Sequence, residues 1–188
     1  MNNLIVIQGI GSNNYFYKEV LASKVSNNYN KIINVPTEEV FDSSSHKNPF
    51  IWDVLGDLWY FYNNENVRKQ VCNLTREYIK ANSPCDVVCH SLGCQIFLTC
   101  GKWEDKPSVE KAYLLGSPLG FFGFRGIVLD HLSRYGFNVE YKALDYVYGK
   151  YDPVAWAPFY FPSKSHKYNP KIMHASSKYL KFLETVHV

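Results

Sequence analysis

The sequence predicts an α/β protein: a three-layer α/β/α sandwich around a mainly parallel sheet. Two observations predict it. Apolar bursts of strand length alternate along the chain with segments of helical period, the pattern of a parallel sheet covered on both faces by helices. The 188 residues, 46% hydrophobic and 16% aromatic, suit one globular domain with a real core. No internal repeat, low-complexity tract or linker interrupts them, so residues 1–188 read as a single domain.

The elements follow in order. Leu4 to Gln8 is a buried-strand run, and Tyr15 to Ser26 carries apolar residues at near-helical spacing. Ile32 to Val35 is short and β-branched, and Pro36 closes it. Asn66 to Asn82 is predicted helical, with Val67, Val71, Leu74, Tyr78 and Ile79 on one face. Asp86 to Cys89 is the next strand and Leu92 to Gly101 the helix after it. Ala112 to Leu115 is a further strand, Ile127 to Tyr135 a helix, and Val139 to Tyr148 an extended run. The last helix spans about Ser176 to Glu184.

Charge and cysteine usage exclude several classes. The formal charge is only +3, and lysine outnumbers arginine 16 to 4, where bidentate phosphate recognition favours the reverse. Nucleic acid is therefore not an expected partner. No apolar run approaches the ~20 residues that span a bilayer. The start, "MNNLIVIQGIGS", lacks the basic n-region of a signal peptide, so the expected location is cytoplasmic. Five cysteines with no CxxC pair read as reduced, mostly buried thiols rather than metal ligands or disulfides.

In a parallel sheet the loops that follow the strands emerge at one carboxyl edge, where ligands bind. Those loops contain "GIGSN", the long "PTEEVFDSSSHKNPFIWDVLGDLWYFYNN", "HSLG", "GSPLGFFGFRG" and "GKYDPVAWAPFYFP". The third carries the chemistry. Cys89-His90-Ser91-Leu92-Gly93 places a serine between strand and helix, with small residues two places either side. A nucleophile held on so tight a turn has its hydroxyl exposed, and the helix behind it aims free N–H groups at developing negative charge. A bare Ser-x-Gly is also an ordinary strand-to-helix corner, so the rest of the constellation has to decide.

A serine nucleophile needs a histidine base, and the histidine needs a carboxylate to fix its tautomer. Asp152 in "YGKYDPVAW" and His174 in "KIMHASSKYL" follow Ser91 in the order Ser, Asp, His, both in loops at the carboxyl edge. Asp152-Pro153 also reads as a turn initiator, and His174 as a helix-capping residue. Asp145 is the rival acid, inside the extended run. His166, in a lysine-rich loop, and His90, expected to point away from Ser91, are the rival bases. For the oxyanion hole the donors are the N–H of Leu92 and, from the "QGIGSN" loop, that of Ile10, with Gly9 and Gly11 letting the backbone approach. The dinucleotide fingerprint fails, because Gly9-Ile10-Gly11-Ser12-Asn13-Asn14 lacks its third glycine.

With "QGIGS", "CHSLG", "LLGSPLG", "DPVA" and "NPKIMHASSKY" in that order, the chain resembles the α/β-hydrolase superfamily over nearly its whole length, most of all its small lipase- and esterase-like members. The resemblance implies a catalytic triad of Ser91, Asp152 and His174. Two departures stand out. Many relatives have His-Gly where this chain has Gln8-Gly9, and the usual glycine at the elbow is Cys89. The first strands of the full fold and a separate cap domain are not expected.

The expected function is a serine hydrolase that cleaves a carboxylic ester or thioester with an apolar acyl part through an acyl-enzyme. No metal or organic cofactor is required. The apolar acyl part follows from aromatics concentrated in three of these loops, which would make a water-poor groove. A small-molecule ester or thioester is thus the expected partner. Contact of "GFFGF" with a membrane surface is not expected to be stable, and the oligomeric state is left open. The alternatives are an amidase, peptidase or acyltransferase using the same triad, or a catalytically inactive hydrolase fold kept as a binding module.

Overall fold

The computed structural model describes residues 1–9, 14–40, 56, 59–100, 108–118, 141–149, 152, 165–169 and 175–186. Its centre is a six-stranded sheet in which each neighbouring pair is parallel. The strands are β1 (Asn3–Ile7), β2 (Lys31–Asn34), β3 (Cys85–His90), β4 (Val109–Leu115), β5 (Tyr141–Gly149) and β6 (Ser165–Asn169), in the order β2-β1-β3-β4-β5-β6. The helices are α1 (Tyr15–Ala22), α2 (Glu65–Asn82), α3 (Leu92–Thr99) and α4 (Ser176–Val186). Short 3-10 turns occupy Lys24–Asn28 and Thr37–Glu39.

The three layers follow from how the central strands alternate. In β1, Ile5 and Ile7 face one side and pack with Val67, Val71 and Ile79 of α2 and with Leu92, Ile96 and Phe97 of α3. Leu4 and Val6 face the other side, with Phe16 and Val20 of α1 and Tyr179, Leu180 and Leu183 of α4. A strand buried on both faces must be apolar throughout, which is why "LIVI" reads as an unbroken run. α2 starts where the Asn64 side chain accepts the Val67 N–H at 3.1 Å, satisfying one of the helix's otherwise unpaired N–H groups.

The predicted α/β/α class holds, with local differences. The helix expected over Tyr15 to Ser26 stops at Ala22 and gives way to the 3-10 turn. The segment "SHKYN", read in sequence as loop, is instead the edge strand β6, its register pairing Tyr146 with His166. Part of the long aromatic loop is helical, at 59–63. The helix expected over Ile127 to Tyr135 lies outside the described residues. All five cysteines are free and buried. Among the described residues no helix is long and apolar enough to cross a membrane.

The strand order also places the site. The chain moves from β1 outward to β2, then returns to lay β3 on the other side of β1. The strand order thus reverses between β1 and β3, and the carboxyl edge at such a switch point is the position where doubly wound sheets bind ligands. Ile7 and Cys89 are register partners, so Gly9 and Ser91 stand side by side at that edge.

Candidate active site

Ser91 links β3 to α3 with φ 54° and ψ −125°, backbone space that a residue with a Cβ rarely enters. Its N–H donates to Leu115 O at 3.0 Å, and its carbonyl accepts the Cys94 N–H at 3.0 Å. Its side chain makes no capping hydrogen bond to α3. That separates two roles. A serine that caps a helix has extended backbone and gives its oxygen to the N–H groups of the first turn. Ser91 does neither, so the corner is not explained by capping.

The small neighbours have distinct reasons. A Cβ at Gly93 would lie 2.2 Å from Ile7 O and 2.8 Å from Ile7 C, main-chain atoms that cannot rotate aside. Glycine is therefore obligatory where α3 crosses the end of β1. Cys89 lies in the sheet among Ile7 and Leu114, where burial and a hydrogen bond with Cys94 push its thiol up. Burial of that kind keeps a thiol unreactive. At Gly9 a Cβ would stand 3.5 Å from Leu92 N and 3.6 Å from the Ser91 Cβ. The chain leaving β1 thus runs against the N-terminus of α3, beside Leu92. Ile10 lies outside the described residues.

Gln8 is fully buried and braces that chain. Its Nε2 donates to Asn14 Oδ1 at 2.8 Å and to Glu38 Oε1 at 3.0 Å. The same Glu38 oxygen accepts the Asn14 N–H at 2.7 Å, and Asn34 Nδ2 donates to Asn14 Oδ1 at 2.6 Å. A carboxylate is acceptor-only, so Glu38 fixes which way the Gln8 amide is turned. One carboxylate thereby holds both Gln8 and Asn14, on either side of residues 9–13. Nothing in the local sequence marks Glu38 for this, and sequence reading missed it.

A second buried network reaches the elbow from the α2/α3 face. Tyr62 OH donates to Gln95 Oε1 at 2.7 Å, Gln95 Nε2 to Ser117 Oγ at 3.1 Å, and Tyr146 OH to Ser117 O at 3.1 Å. It ties the helical 59–63 segment to α3 and to the Gly-Ser-Pro turn after β4. Phe61 of that segment is buried, while Trp59 and Tyr60 are about half exposed.

The two acid candidates occupy different places. Asp145 lies within β5 and pairs with Lys111 Nζ at 3.1 Å. Asp152 follows the carboxyl end of the strand, its N–H bonded to Gly149 O at 3.2 Å, and is completely buried. Its Oδ2 accepts the Tyr179 hydroxyl at 2.5 Å. Gly116, with φ 58°, turns below them, and a Cβ there would come within 3.2 Å of Asp152 Oδ2. The His90 ring lies on the α1/α4 face between Phe16 and Tyr179, at centroid distances of 5.2 and 5.8 Å. His174 lies outside the described residues; Ala175, next to it in the chain, accepts the Tyr179 N–H at the start of α4. Among the described residues no three His, Cys, Asp or Glu side chains are grouped as a metal ion would require.

Comparison with known proteins places this geometry in a fold, not a family. No family model matches the chain, and no curated protein matches it. Its fold is similar to that of a protein of unknown function from Agrobacterium tumefaciens that is provisionally assigned as an alpha/beta hydrolase. That match has a TM-score of 0.51 at 10% identity, over 98% of this chain and 81% of the other. An uncharacterized protein from Bacillus cereus ATCC 10987 matches at a TM-score of 0.47 and 12% identity, over 98% of this chain. This chain spans 57% of that protein's length.

Proposed function

We propose that the protein is a serine hydrolase that cleaves a carboxylic ester or thioester with an apolar acyl part. The observation that carries this reading is Ser91 itself: a buried serine, held at φ 54° at the carboxyl edge of the sheet, that does not cap its own helix. Strain of this kind persists only where the surroundings enforce it, and it gathers at functional sites. The fold it shares with a protein of unknown function that is provisionally assigned as an alpha/beta hydrolase is consistent with the same class.

In the proposed reaction Ser91 Oγ attacks the carbonyl carbon while His174 takes the hydroxyl proton. Asp152 orients the imidazole and stabilises the imidazolium. The N–H groups of Leu92 and Ile10 hold the tetrahedral oxyanion, the chain at Gly9 running beside Leu92. As the oxyanion collapses, the bond to the alkoxide or thiolate breaks and the leaving group takes the proton from His174. Water, deprotonated by His174, then adds to the acyl-serine, and the carboxylic acid departs as Ser91 regains its proton. Half-exposed Trp59 and Tyr60, on the segment that Tyr62 ties to Gln95, support an apolar acyl part.

Labelling by a fluorophosphonate probe, with Ser91→Ala and His174→Ala beside the parent, tests the reading. Labelling of the parent alone is expected, followed by faster turnover of acyl esters than of the matched anilides. A folded parent that stays unlabelled overturns it.

A further inference from the structure

Tyr179 is buried at the first turn of α4, and its hydroxyl donates to Asp152 Oδ2 at 2.5 Å. A core tyrosine needs an acceptor, but a main-chain carbonyl serves that need at far lower desolvation cost than a buried carboxylate. The pairing therefore calls for an explanation on the side of the acid. Burial, and after it the negative charge of Asp152, raise the phenol's pKa above its ordinary value, so Tyr179 stays protonated and acts as the donor.

The phenol is held firmly. Its ring packs on the His90 ring at 5.8 Å, and His90 is the residue before Ser91. Any side chain at Gly116 would strike it, since a Cβ there would lie 2.8 Å from Tyr179 Cε2. α4 is anchored to α1 by the Ser176 hydroxyl on Glu19, and to the 3-10 turn after α1 by the Lys24 N–H on Glu184 Oε1 at 2.8 Å. A carboxylate gripped at one oxygen by so fixed a donor loses its rotation, and its other oxygen faces one direction.

We propose that Tyr179 is a positioning residue for the acid of the triad: it fixes the Asp152 carboxylate and draws charge from it, so that α4 helps to set the basicity of the histidine. The inference rests on the reading of Ser91, Asp152 and His174 as a triad, and adds a fourth group that touches neither substrate nor nucleophile. Losing the hydroxyl leaves more charge on the carboxylate, and a more negative partner raises the pKa of the imidazolium facing it.

The test is the pH profile of kcat/KM for a p-nitrophenyl ester, from pH 5 to 9, in the parent, Tyr179→Phe and Asp152→Asn. Rates are normalised to the active fraction titrated by fluorophosphonate. Tyr179→Phe should lower kcat about tenfold with KM little changed, and move the acidic limb up by roughly half a pH unit. A second variant, 3-fluorotyrosine at 179, keeps the ring and makes the phenol a stronger donor, so its limb should move down. A tyrosine that merely fills the core would change the active fraction and leave both limbs in place; that outcome, with Asp152→Asn inactive, overturns the inference and leaves the triad standing. An unlabelled parent, or an Asp152→Asn variant as active as the parent, overturns the triad reading and this inference with it.

Discussion

Replacing Ser91 by glycine should make the protein more stable than replacing it by alanine, although both remove the hydroxyl. Ser91 holds φ 54° and ψ −125°, and a side-chain-bearing residue in such space costs ~1–3 kcal/mol. Glycine relieves that cost; alanine retains it. Glycine also gives the unfolded chain more freedom, which offsets roughly 0.4–1 kcal/mol of the gain. The net difference is about 1 kcal/mol in favour of glycine, or roughly 2–4 °C in Tm for a domain of this size. Comparing the two variants with each other cancels the lost hydroxyl, whatever its own partners contribute. Urea unfolding followed by tryptophan fluorescence is the assay, since the chain has four tryptophans. Neither variant should label with a fluorophosphonate. If the alanine variant matches or exceeds the glycine variant, the elbow is not strained, and the main support for Ser91 as nucleophile falls.

Two further predictions concern packing and pH. Gly93→Ala puts a carbon 2.2 Å from Ile7 O, where about 3.3 Å is the closest ordinary approach, so the start of α3 must shift by roughly 1 Å. Stability should fall by ~3 kcal/mol and probe labelling by about a hundredfold. Gly9→Ala meets only ordinary contacts at 3.5 Å and beyond and should change stability by less than about 1 kcal/mol; equal effects at 9 and 93 would refute the geometry. At alkaline pH the buried Cys85 thiol and the buried Tyr146 and Tyr179 phenols destabilise the fold. Burial, then Asp86 and Glu110, push Cys85 up to about 12, and burial raises Tyr146 and Tyr179 as well. Their stabilising contribution is complete below the unfolded pKa values, about 8.5 for thiols and 10 for phenols. Above those the unfolded chain loses protons that the fold keeps, so urea midpoints should decline steadily from pH 9 to 11. A flat midpoint over that range would refute the burial argument.

Local signals placed most elements to within a few residues. β1 and β3 are apolar runs because both faces are covered, and α2 shows its buried stripe in the sequence, whereas its Asn64 cap, two residues before the predicted start, was found only in the structure. The elbow was legible for the same reason: a small-residue requirement at a strand-to-helix corner is a local steric demand, and Gly93 meets it. β6 was not legible. "SHKYN" has no apolar alternation, and it becomes a strand because β5 offers an open edge to pair with.

The sequence by itself determined the class of fold, the serine on its corner, and the order of serine, acid and histidine. Only the tertiary structure decided which groups meet. Asp145 and Asp152 are equally acidic in sequence, yet one pairs with Lys111 in the sheet and the other is buried against Tyr179. Gln8 departs from the residue its resemblance implies, yet Glu38, thirty residues on, braces it together with Asn14. The physical reason is one of range. A residue's neighbours three or four places away set which face it presents, whereas hydrogen-bond partners of buried polar groups come from segments that only the completed sheet brings together.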